Sequence, residues 1–230
     1  MKIVSLLENT SSCDKVKSEH GLSLYIETDS HKILFDMGQS DLFSENADSL
    51  GVDLSDIDLA VLSHGHYDHG GGLEKFLEIN KSAPVYINEY AFEPHFNGTE
   101  KYIGLDVKLK DNPRIVFTED EFKIDKNLTL YSCNNRERTH NLISSGLTTF
   151  ENGDFVPDDF RHEQYLLIEE HNKKVLISGC SHKGILDITE WFQPDVLVGG
   201  FHFSKLPLDE KLLSFAKELD SYKTKFYTCH

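Results

Sequence analysis

Two pairs of apolar runs recur along the chain at a constant interval of 142 residues. The runs LYIE (24–27) and KILF (32–35) correspond to LLIE (166–169) and KVLI (174–177), with a short polar turn inside each pair. Aliphatic and β-branched residues on both sides of a polar turn predict a β-hairpin. Each hairpin precedes a glycine, a stretch with helical spacing and a further apolar run. We therefore predict two similar ββαβ halves, with chance similarity between apolar strands as the alternative.

Helical spacing separates the predicted strands. Leu73, Phe76 and Leu77 follow a run of three glycines at i, i+3 and i+4, which predicts an amphipathic helix. A second stripe of this kind contains Leu212, Leu213, Ala216 and Leu219. Near-continuous apolar runs, typical of strands buried on both faces, occupy residues 59–62, 175–177 and 196–198. We therefore predict an α/β fold, an αββα sandwich built from two similar halves.

Composition narrows the class of protein. The 230 residues carry a net charge of −16, and 39% of them are hydrophobic, which argues against disorder. No apolar run approaches the ~18 residues of a membrane span. No Pro-, Gly- or Ser-rich linker divides the sequence, so we expect one domain over residues 1–230. We also find no cluster of lysines and arginines that would bind a nucleic-acid backbone.

Cellular context and partners follow from what the sequence lacks. The first eight residues do not have the pattern of a signal peptide. The four cysteines form no C-x-x-C pair, which favours free thiols. We expect a cytoplasmic protein with a small-molecule substrate and with neither nucleic acid nor membrane as a partner. The oligomeric state stays open.

The residues that carry chemistry cluster directly after the apolar run 59–62. His64, His66, Asp68 and His69 lie within six residues, and three glycines follow. In an extended backbone, residues i and i+2 point the same way, so His64 and His66 share one side. Asp68 and His69 turn to another side once the chain bends toward the helix. This set suits two adjacent cations; the alternative is a polar loop whose histidines are merely solvated.

The H-x-H-x-D-H pattern of residues 64–69 resembles the signature of the metallo-β-lactamase superfamily. The run 32–38, which ends in Asp36, Met37 and Gly38, is similar to an early strand of that superfamily. The resemblance implies a duplicated αββα fold. It also implies that Asp36 supports the metal-binding loop without itself binding metal.

Three further segments resemble one branch of that superfamily. GCSH (179–182), GGFH (199–202) and YTCH (227–230) are similar to the Gly-Cys-Ser-His, Gly-Gly-Phe-His and His-Cys-Thr-Gly signatures of this branch. It is named for 7,8-dihydropterin-6-methyl-4-(β-D-ribofuranosyl)aminobenzene-5′-phosphate synthase and contains many metal-dependent hydrolases. Cys180 stands where most superfamily members place a bridging Asp. The sequence stops at His230, as a naturally short chain or a truncated one.

The resemblance implies two metal sites. His64 and His66 would hold the first divalent ion, with His182 completing its site. The residues expected at the second ion are Asp68, His69 and His230. Imidazoles and a carboxylate suit Zn²⁺, our first choice, and also accept Mn²⁺ or Fe²⁺. A water bridging two such cations becomes a nucleophile near neutral pH, and Asp68 would orient it as a catalytic residue.

Weaker signals surround this set. Cys180 is either a soft ligand or a buried small residue, and we favour burial. His202 follows an apolar run, so we expect it in the cleft as a substrate contact or catalytic proton donor. His162 stands where some superfamily members place a metal ligand, yet residues 158–162 have the composition of a charged loop. Lys183 and Lys205 are the cations that we expect to recruit an anionic substrate.

Three functional hypotheses remain at this stage. The first is a dinuclear metal-dependent hydrolase of a small ester, lactone or phosphate-bearing metabolite. His66 favours it, because redox members of the fold carry an acid at this position to suit a di-iron centre. The second is a transferase that joins a dihydropterin to an aminobenzene ribosyl phosphate. The third is a metal-binding protein without turnover. Two segments that we expect to be loops, 89–111 and 134–159, would set substrate specificity.

Overall fold

A computed structural model describes residues 1–140, 146–203 and 206–230. The strands, in chain order, are β1 (Lys2–Leu7), β2 (Ser23–Glu27), β3 (Lys32–Phe35), β4 (Leu59–Val61), β5 (Val85–Asn88), β6 (His95–Asn97), β7 (Lys101–Tyr102), β8 (Ile115–Thr118), β9 (Glu121–Lys123), β10 (Leu128–Tyr131), β11 (Leu147–Glu151), β12 (Asp154–Pro157), β13 (Tyr165–Glu170), β14 (Lys173–Ile177), β15 (Val196–Gly199) and β16 (Lys225–Thr228). The α-helices are α1 (Leu42–Leu50), α2 (Tyr67–Gly70), α3 (Leu73–Ile79), α4 (Ile185–Phe192) and α5 (Glu210–Ser221).

Two six-stranded sheets organise the described residues. The first has the order β1-β2-β3-β4-β5-β8, and the second has the order β16-β15-β14-β13-β10-β9. In each half an antiparallel hairpin, β2–β3 or β13–β14, is followed by a parallel strand, β4 or β15. Leu24 lies opposite Phe35, and Leu166 lies opposite Ile177. The cross-strand pairs therefore keep the 142-residue interval, which confirms the two similar halves.

Layers of apolar side chains place the sheets inside and the helices outside. Ile26 and Phe35 of the first sheet share one buried cluster with Ile168 and Ile177 of the second sheet. On the outer face of the first sheet, α1 and α3 complete a separate cluster. On the outer face of the second sheet, α4 and α5 do the same. This is the predicted αββα sandwich.

The two segments expected to be loops contain strands. Residues 95–102 form β6 and β7, residues 147–157 form β11 and β12, and these four strands make a small sheet in the order β12-β11-β6-β7. The expectation of loops was therefore wrong for these residues, because each segment supplies the hydrogen-bonding partners of the other: Thr149 lies opposite His95, and Leu147 opposite Asn97. Residues 141–145 of the second segment lie outside the described residues.

Two smaller predictions can be compared with the structure. All four cysteines have free thiols, as expected. Among the described residues, no helix combines the length and the apolar character that crossing a membrane requires.

Candidate metal centre

The candidate residues gather at one edge of the sandwich because parallel strands of both sheets end there. Asp36 follows β3 and His64 follows β4 in the first sheet. In the second sheet, the segments after β14, β15 and β16 carry Cys180, His182, His202 and His230. Side chains at the carboxyl ends of neighbouring parallel strands meet at the same edge of a sheet. Residues more than 160 positions apart in sequence thus share one site.

Asp36 supports the loop that carries the candidate metal ligands. Its carboxylate accepts hydrogen bonds from the Ser63 backbone N–H at 2.7 Å, the Ser63 hydroxyl at 2.7 Å and Nδ1 of His69 at 2.6 Å. Asp36 and His69 are both completely buried. Histidine ligands commonly donate their second ring N–H to such a carboxylate, which leaves the other nitrogen bare. Asp36 therefore has the supporting geometry that the resemblance implied.

We define the first cation group as His64, His66 and His182. Their ligand atoms lie within 4.8 Å of one another, and Nε2 of each ring is buried and has no hydrogen-bond partner among the described residues. Nδ1 of His64 lies 2.8 Å from the Ser63 hydroxyl. Because that hydroxyl donates to Asp36, it must accept from Nδ1–H, and Nε2 of His64 is a bare lone pair.

Electrostatics of the first cation group favour neutral rings. Burial, together with the positive charges that neighbouring histidines would carry, holds the pKa of His64, His66 and His182 well below the usual histidine range. Metal binding requires neutral imidazole. Buried nitrogens without partners are costly, and a divalent cation among them would supply the missing interaction. The residues present therefore fit a metal ion.

We define the second cation group as His20, Asp68 and His230. Oδ2 of Asp68 lies 3.1 Å from Nε2 of His20 and 3.4 Å from Nε2 of His230. Nδ1 of each histidine lies 3.1 Å from Oδ1 of Asn9. Burial disfavours the charge on Asp68, but the contacts from His20 and His230 outweigh burial and hold the carboxyl pKa well below its usual range. This group combines one carboxylate with two imidazoles, and Zn²⁺ and Mn²⁺ both bind such a combination of ligands.

His69 and Cys180 lie between the two groups. Nε2 of His69 is 3.2 Å from Sγ of Cys180 and 3.9 Å from Oδ2 of Asp68, and its ring centroid is 4.1 Å from that of His64. Burial raises the pKa of the Cys180 thiol to about 11. Cys180 is buried, as favoured, but its sulfur also faces the candidate ligands, so burial and ligand chemistry are not exclusive here.

The structure brings the sequence-predicted residues together. His64, His66 and His182 form one group, and Asp68 joins His230 in the other. His69, expected at the second ion, is placed to reach either group. The His202 ring lies 4.5 Å from that of His182 and lines the cleft. Its role toward substrate stays a prediction.

The expectation that Lys183 recruits an anionic substrate was wrong. Lys183 is 1% exposed, and its ammonium donates to the backbone carbonyl oxygens of Ser132 and Glu163. Burial lowers its pKa to about 8. Lys183 therefore supports the core below the site and cannot recruit substrate. Lys205 lies outside the described residues.

The segment 158–162 is a loop, as its charged composition indicated, but Asp158 and His162 within it are buried. Nδ1 of His162 accepts the Gly65 backbone N–H at 2.9 Å, so Nε2 carries the proton and lies 3.3 Å from Asp158. Burial lowers the pKa of His162 to about 4. Both ring nitrogens are thus occupied by protein groups, and His162 orients the loop that carries His64 and His66.

Sequence reasoning missed three polar residues near the site. His20 and Asn9 belong to the second cation group and its support. His95 is buried, donates Nδ1–H to Asp158 at 2.9 Å, and has a buried Nε2 without a hydrogen-bond partner; its ring lies 5.6 Å from that of His66. His20 and Asn9 precede a predicted strand and His95 lies in an expected loop, so their spacing gave no signal.

A cleft of ≈ 240 Å³ opens above the second cation group. Besides the metal-site residues, its lining contains Asn97, Lys101, Ile103, Leu147 and Phe203. Lys101 is the lysine of this lining in the described part of the chain. Its ammonium lies 3.4 Å from the Tyr67 hydroxyl and 5.2 Å from the Tyr67 ring centroid. The small sheet therefore supplies one wall of the cleft and its local positive charge.

Comparisons with known proteins agree with this geometry. The family model of the metallo-beta-lactamase superfamily matches residues 19–221. The uncharacterized protein MJ0448 of Methanocaldococcus jannaschii is 29% identical over 209 residues, covering 87% of this chain and 79% of the relative. A 7,8-dihydropterin-6-methyl-4-(beta-D-ribofuranosyl)-aminobenzene-5'-phosphate synthase from the same organism is 30% identical over 251 residues, covering 98% of this chain and 85% of the relative.

Solved structures give the same result. Tm1679, described as a metal-dependent hydrolase of the beta-lactamase superfamily, superposes with a TM-score of 0.83 at 32% identity, covering 99% of this chain and 87% of that chain. The metallo-beta-lactamase MIM-1 from Novosphingobium pentaromativorans shares the fold, with a TM-score of 0.51 at 13% identity, covering 87% and 81%. Together with the strand-end histidines and the two-sheet sandwich, these matches show that the chain belongs to the metallo-β-lactamase superfamily.

Proposed function

We propose that this protein is a dinuclear metal-dependent hydrolase of a small ester, lactone or phosphate-bearing molecule. The observation that carries the proposal is the first cation group: three buried imidazole nitrogens converge, and none of them has a hydrogen-bond partner in the part of the chain that the structure describes. A carboxylate-containing group lies beside them at the same cleft. A purely structural histidine cluster would satisfy its nitrogens with protein groups, as His162 does.

The residues of the two groups would hold the cations. His64, His66 and His182 would hold the first ion, and Asp68 with His230 the second, with His69 between them. When bound, divalent cations supply Lewis acidity, which promotes ionisation of a water and polarises a carbonyl or phosphoryl oxygen. Zn²⁺ fits this donor set best, and Mn²⁺ or Fe²⁺ is compatible with it.

The protein groups around the cleft supply the remaining functions. Asp68 faces the cleft and can orient a water by accepting its proton in a hydrogen bond. His202, whose ring lies 4.5 Å from that of His182 at the cleft, would contact the substrate. Ile103 and Leu147 contribute apolar side chains to the cleft lining. The net charge of −16 repels anions over long distances, so Lys101 would provide local attraction for an anionic substrate.

Metal analysis and turnover test this proposal together. The protein purified with added Zn²⁺ should contain close to two equivalents, and it should cleave bis(p-nitrophenyl) phosphate or a small γ-lactone. His66→Ala should abolish cleavage, whereas His171→Ala, in an exposed turn paired with Asp29, should not change it. A metal content near zero after Zn²⁺ or Mn²⁺ is added, or full activity in His66→Ala, would refute the proposal.

A transferase is the second candidate, favoured by the relative named as a dihydropterin phosphate synthase, which matches 98% of this chain. Here the same site would act on a dihydropterin and an aminobenzene ribosyl phosphate, and the cations would neutralise a departing diphosphate. The distinguishing assay supplies a dihydropterin diphosphate with and without an arylamine. Consumption only in the presence of the arylamine supports the transferase, and cleavage of simple esters without it supports the hydrolase.

A further inference from the structure

We propose that His20 is a ligand of the second divalent cation and that Asn9 is the residue that positions it. The inference deepens the proposed function, because it rests on a second cation being present. It adds a histidine from the segment before β2 to the expected ligands Asp68, His69 and His230. Nothing in the spacing of the sequence marks His20 as different from an exposed loop histidine.

Asn9 fixes the orientation of two histidine rings. Oδ1 of Asn9 lies 3.1 Å from Nδ1 of His20 and 3.1 Å from Nδ1 of His230, and it accepts the Gly21 backbone N–H at 3.2 Å. An amide oxygen only accepts hydrogen bonds, so both histidines must donate through Nδ1. In the neutral rings, Nε2 is therefore bare on both sides. Asn9 thus acts on two rings at once and aims their Nε2 atoms at Asp68.

The Nε2 atoms of both rings converge on one carboxylate oxygen. Nε2 of His20 and Nε2 of His230 lie 3.1 and 3.4 Å from Oδ2 of Asp68. Because Asn9 accepts from Nδ1–H of each ring, each Nε2 directs a lone pair at this negatively charged oxygen. Such convergence of acceptors is costly unless a positive charge lies among them, and a divalent cation would supply it.

The backbone that carries His20 is packed against the residues that carry Asp68. The neighbouring Gly21 has φ of +144°, and a Cβ there would lie 2.4 Å from the backbone oxygen of Asp68. The Leu22 N–H donates to that same oxygen at 3.3 Å. The segment is therefore packed directly against α2 and holds His20 at a fixed distance from Asp68. The His20 side chain remains 59% exposed, so a cation can reach it from the cleft.

A divalent metal ion fits these contacts. Asn9 fixes Nδ1–H on both rings, which is the outer-partner arrangement of metal-binding histidines. A divalent cation would satisfy His20, His230 and Asp68 at once.

Zinc titration of four variants tests the inference. In native protein we expect a tightly bound first equivalent and a weaker second one. His20→Phe and Asn9→Leu should weaken the second equivalent by about 10-fold or more, as loss of a ligand or its outer partner does, and leave the first unchanged. Asn9→Asp, which keeps an acceptor oxygen, should restore it. His31→Phe, whose ring pairs with Asp125 away from the site, is the matched control.

X-ray absorption at the zinc edge gives a readout independent of catalysis. The average number of imidazoles per zinc in the fully loaded protein should decrease in His20→Phe and stay at the native value in His31→Phe. Circular dichroism and the urea midpoint identify any variant that fails to fold, and His20→Gln then replaces His20→Phe. A folded His20 variant with native affinity for both equivalents overturns the inference while the proposed function stands. Native protein that binds no second zinc overturns both.

Discussion

The two cation groups lie side by side but differ in donor atoms and in exposure to solvent. The first consists of imidazoles alone: His64 and His66 are at most 4% exposed, and within the described ranges none of the three Nε2 atoms has a hydrogen-bond partner. The second is built on the Asp68 carboxylate and opens to the cleft, with His20 largely exposed. The histidines of the second group contact Asn9 and Asp68, whereas the Nε2 atoms of the first group have no such contacts among the described residues. We therefore expect the first group to depend on a cation more strongly.

This difference predicts an order of binding. Neutral, buried and preoriented nitrogens should bind the first ion tightly, because no proton competes with it near neutral pH. The second group can exchange its cation for a proton and for water. We expect the first ion to stabilise the folded site and the second ion to exchange more readily.

The largest expected effect is the loss of the first ion. His182→Ala removes one of the three imidazoles and should weaken binding of the tight equivalent by about 100-fold or more, at the upper end of what loss of an outer partner costs. Asp68→Asn should weaken the second equivalent and leave the first in place. Equilibrium dialysis with Zn²⁺ separates these results. Equal loss of both equivalents in Asp68→Asn would show that the groups are not independent.

Stabilisation by metal should come mainly from the first group. A ligand that binds only the folded state at 100 times its Kd raises the free energy of unfolding by about 2.7 kcal/mol. Urea unfolding of native protein and of His20→Phe, with and without Zn²⁺, measures this quantity. We expect the variant to retain most of the gain. A gain that disappears in His20→Phe would place the tight site in the second group.

The metal-free protein should lose stability on acidification. The folded-state pKa values of the three first-group histidines lie well below the unfolded value, which is about 6.5. Below about pH 6.5 these histidines become protonated in the unfolded chain but stay neutral in the folded protein. The free energy of unfolding therefore decreases as the pH falls below about 6.5, and these histidines make it independent of pH above that value. Each such histidine contributes a slope of about 1.4 kcal/mol per pH unit.

His182→Leu isolates one of these contributions. Its free energy of unfolding, measured in urea with a chelator between pH 6.5 and pH 5, should depend on pH less steeply than that of native protein, by about 1.4 kcal/mol per unit. An unchanged slope would mean that His182 is protonated in the folded state. The comparison between the groups would then lose its basis.

The smallest effect concerns substrate binding at the open side of the cleft. Lys101→Met should raise KM for an anionic phosphodiester by about 10-fold, equivalent to about 1.4 kcal/mol, with little change in kcat. A neutral lactone should show no difference. Lys108→Met, in an exposed turn outside the cleft lining, is the control. An equal loss with both substrates would assign Lys101 a structural role.

The local pattern of apolar and polar residues was sufficient to predict much of the fold. The 142-residue repeat predicted both hairpins because strand periodicity and turn composition are encoded over a few residues. The helices near 73–79 and 210–221 followed from stripes of apolar residues. The small sheet was missed, since β6 and β11 pair across about 50 residues and neither carries an apolar run long enough to be typical of a strand.

The sequence by itself determined the duplicated sandwich, the H-x-H-x-D-H cluster and the histidines that end the strands of the second half. Only the tertiary structure decided that His20 and Asn9 join Asp68, that His162 is occupied by Gly65 and Asp158, and that Lys183 is buried. The physical reason is that residue type and spacing specify which atoms can bind a cation. Whether a given nitrogen is bare or already satisfied depends on hydrogen bonds from distant segments, and those exist only in the folded chain.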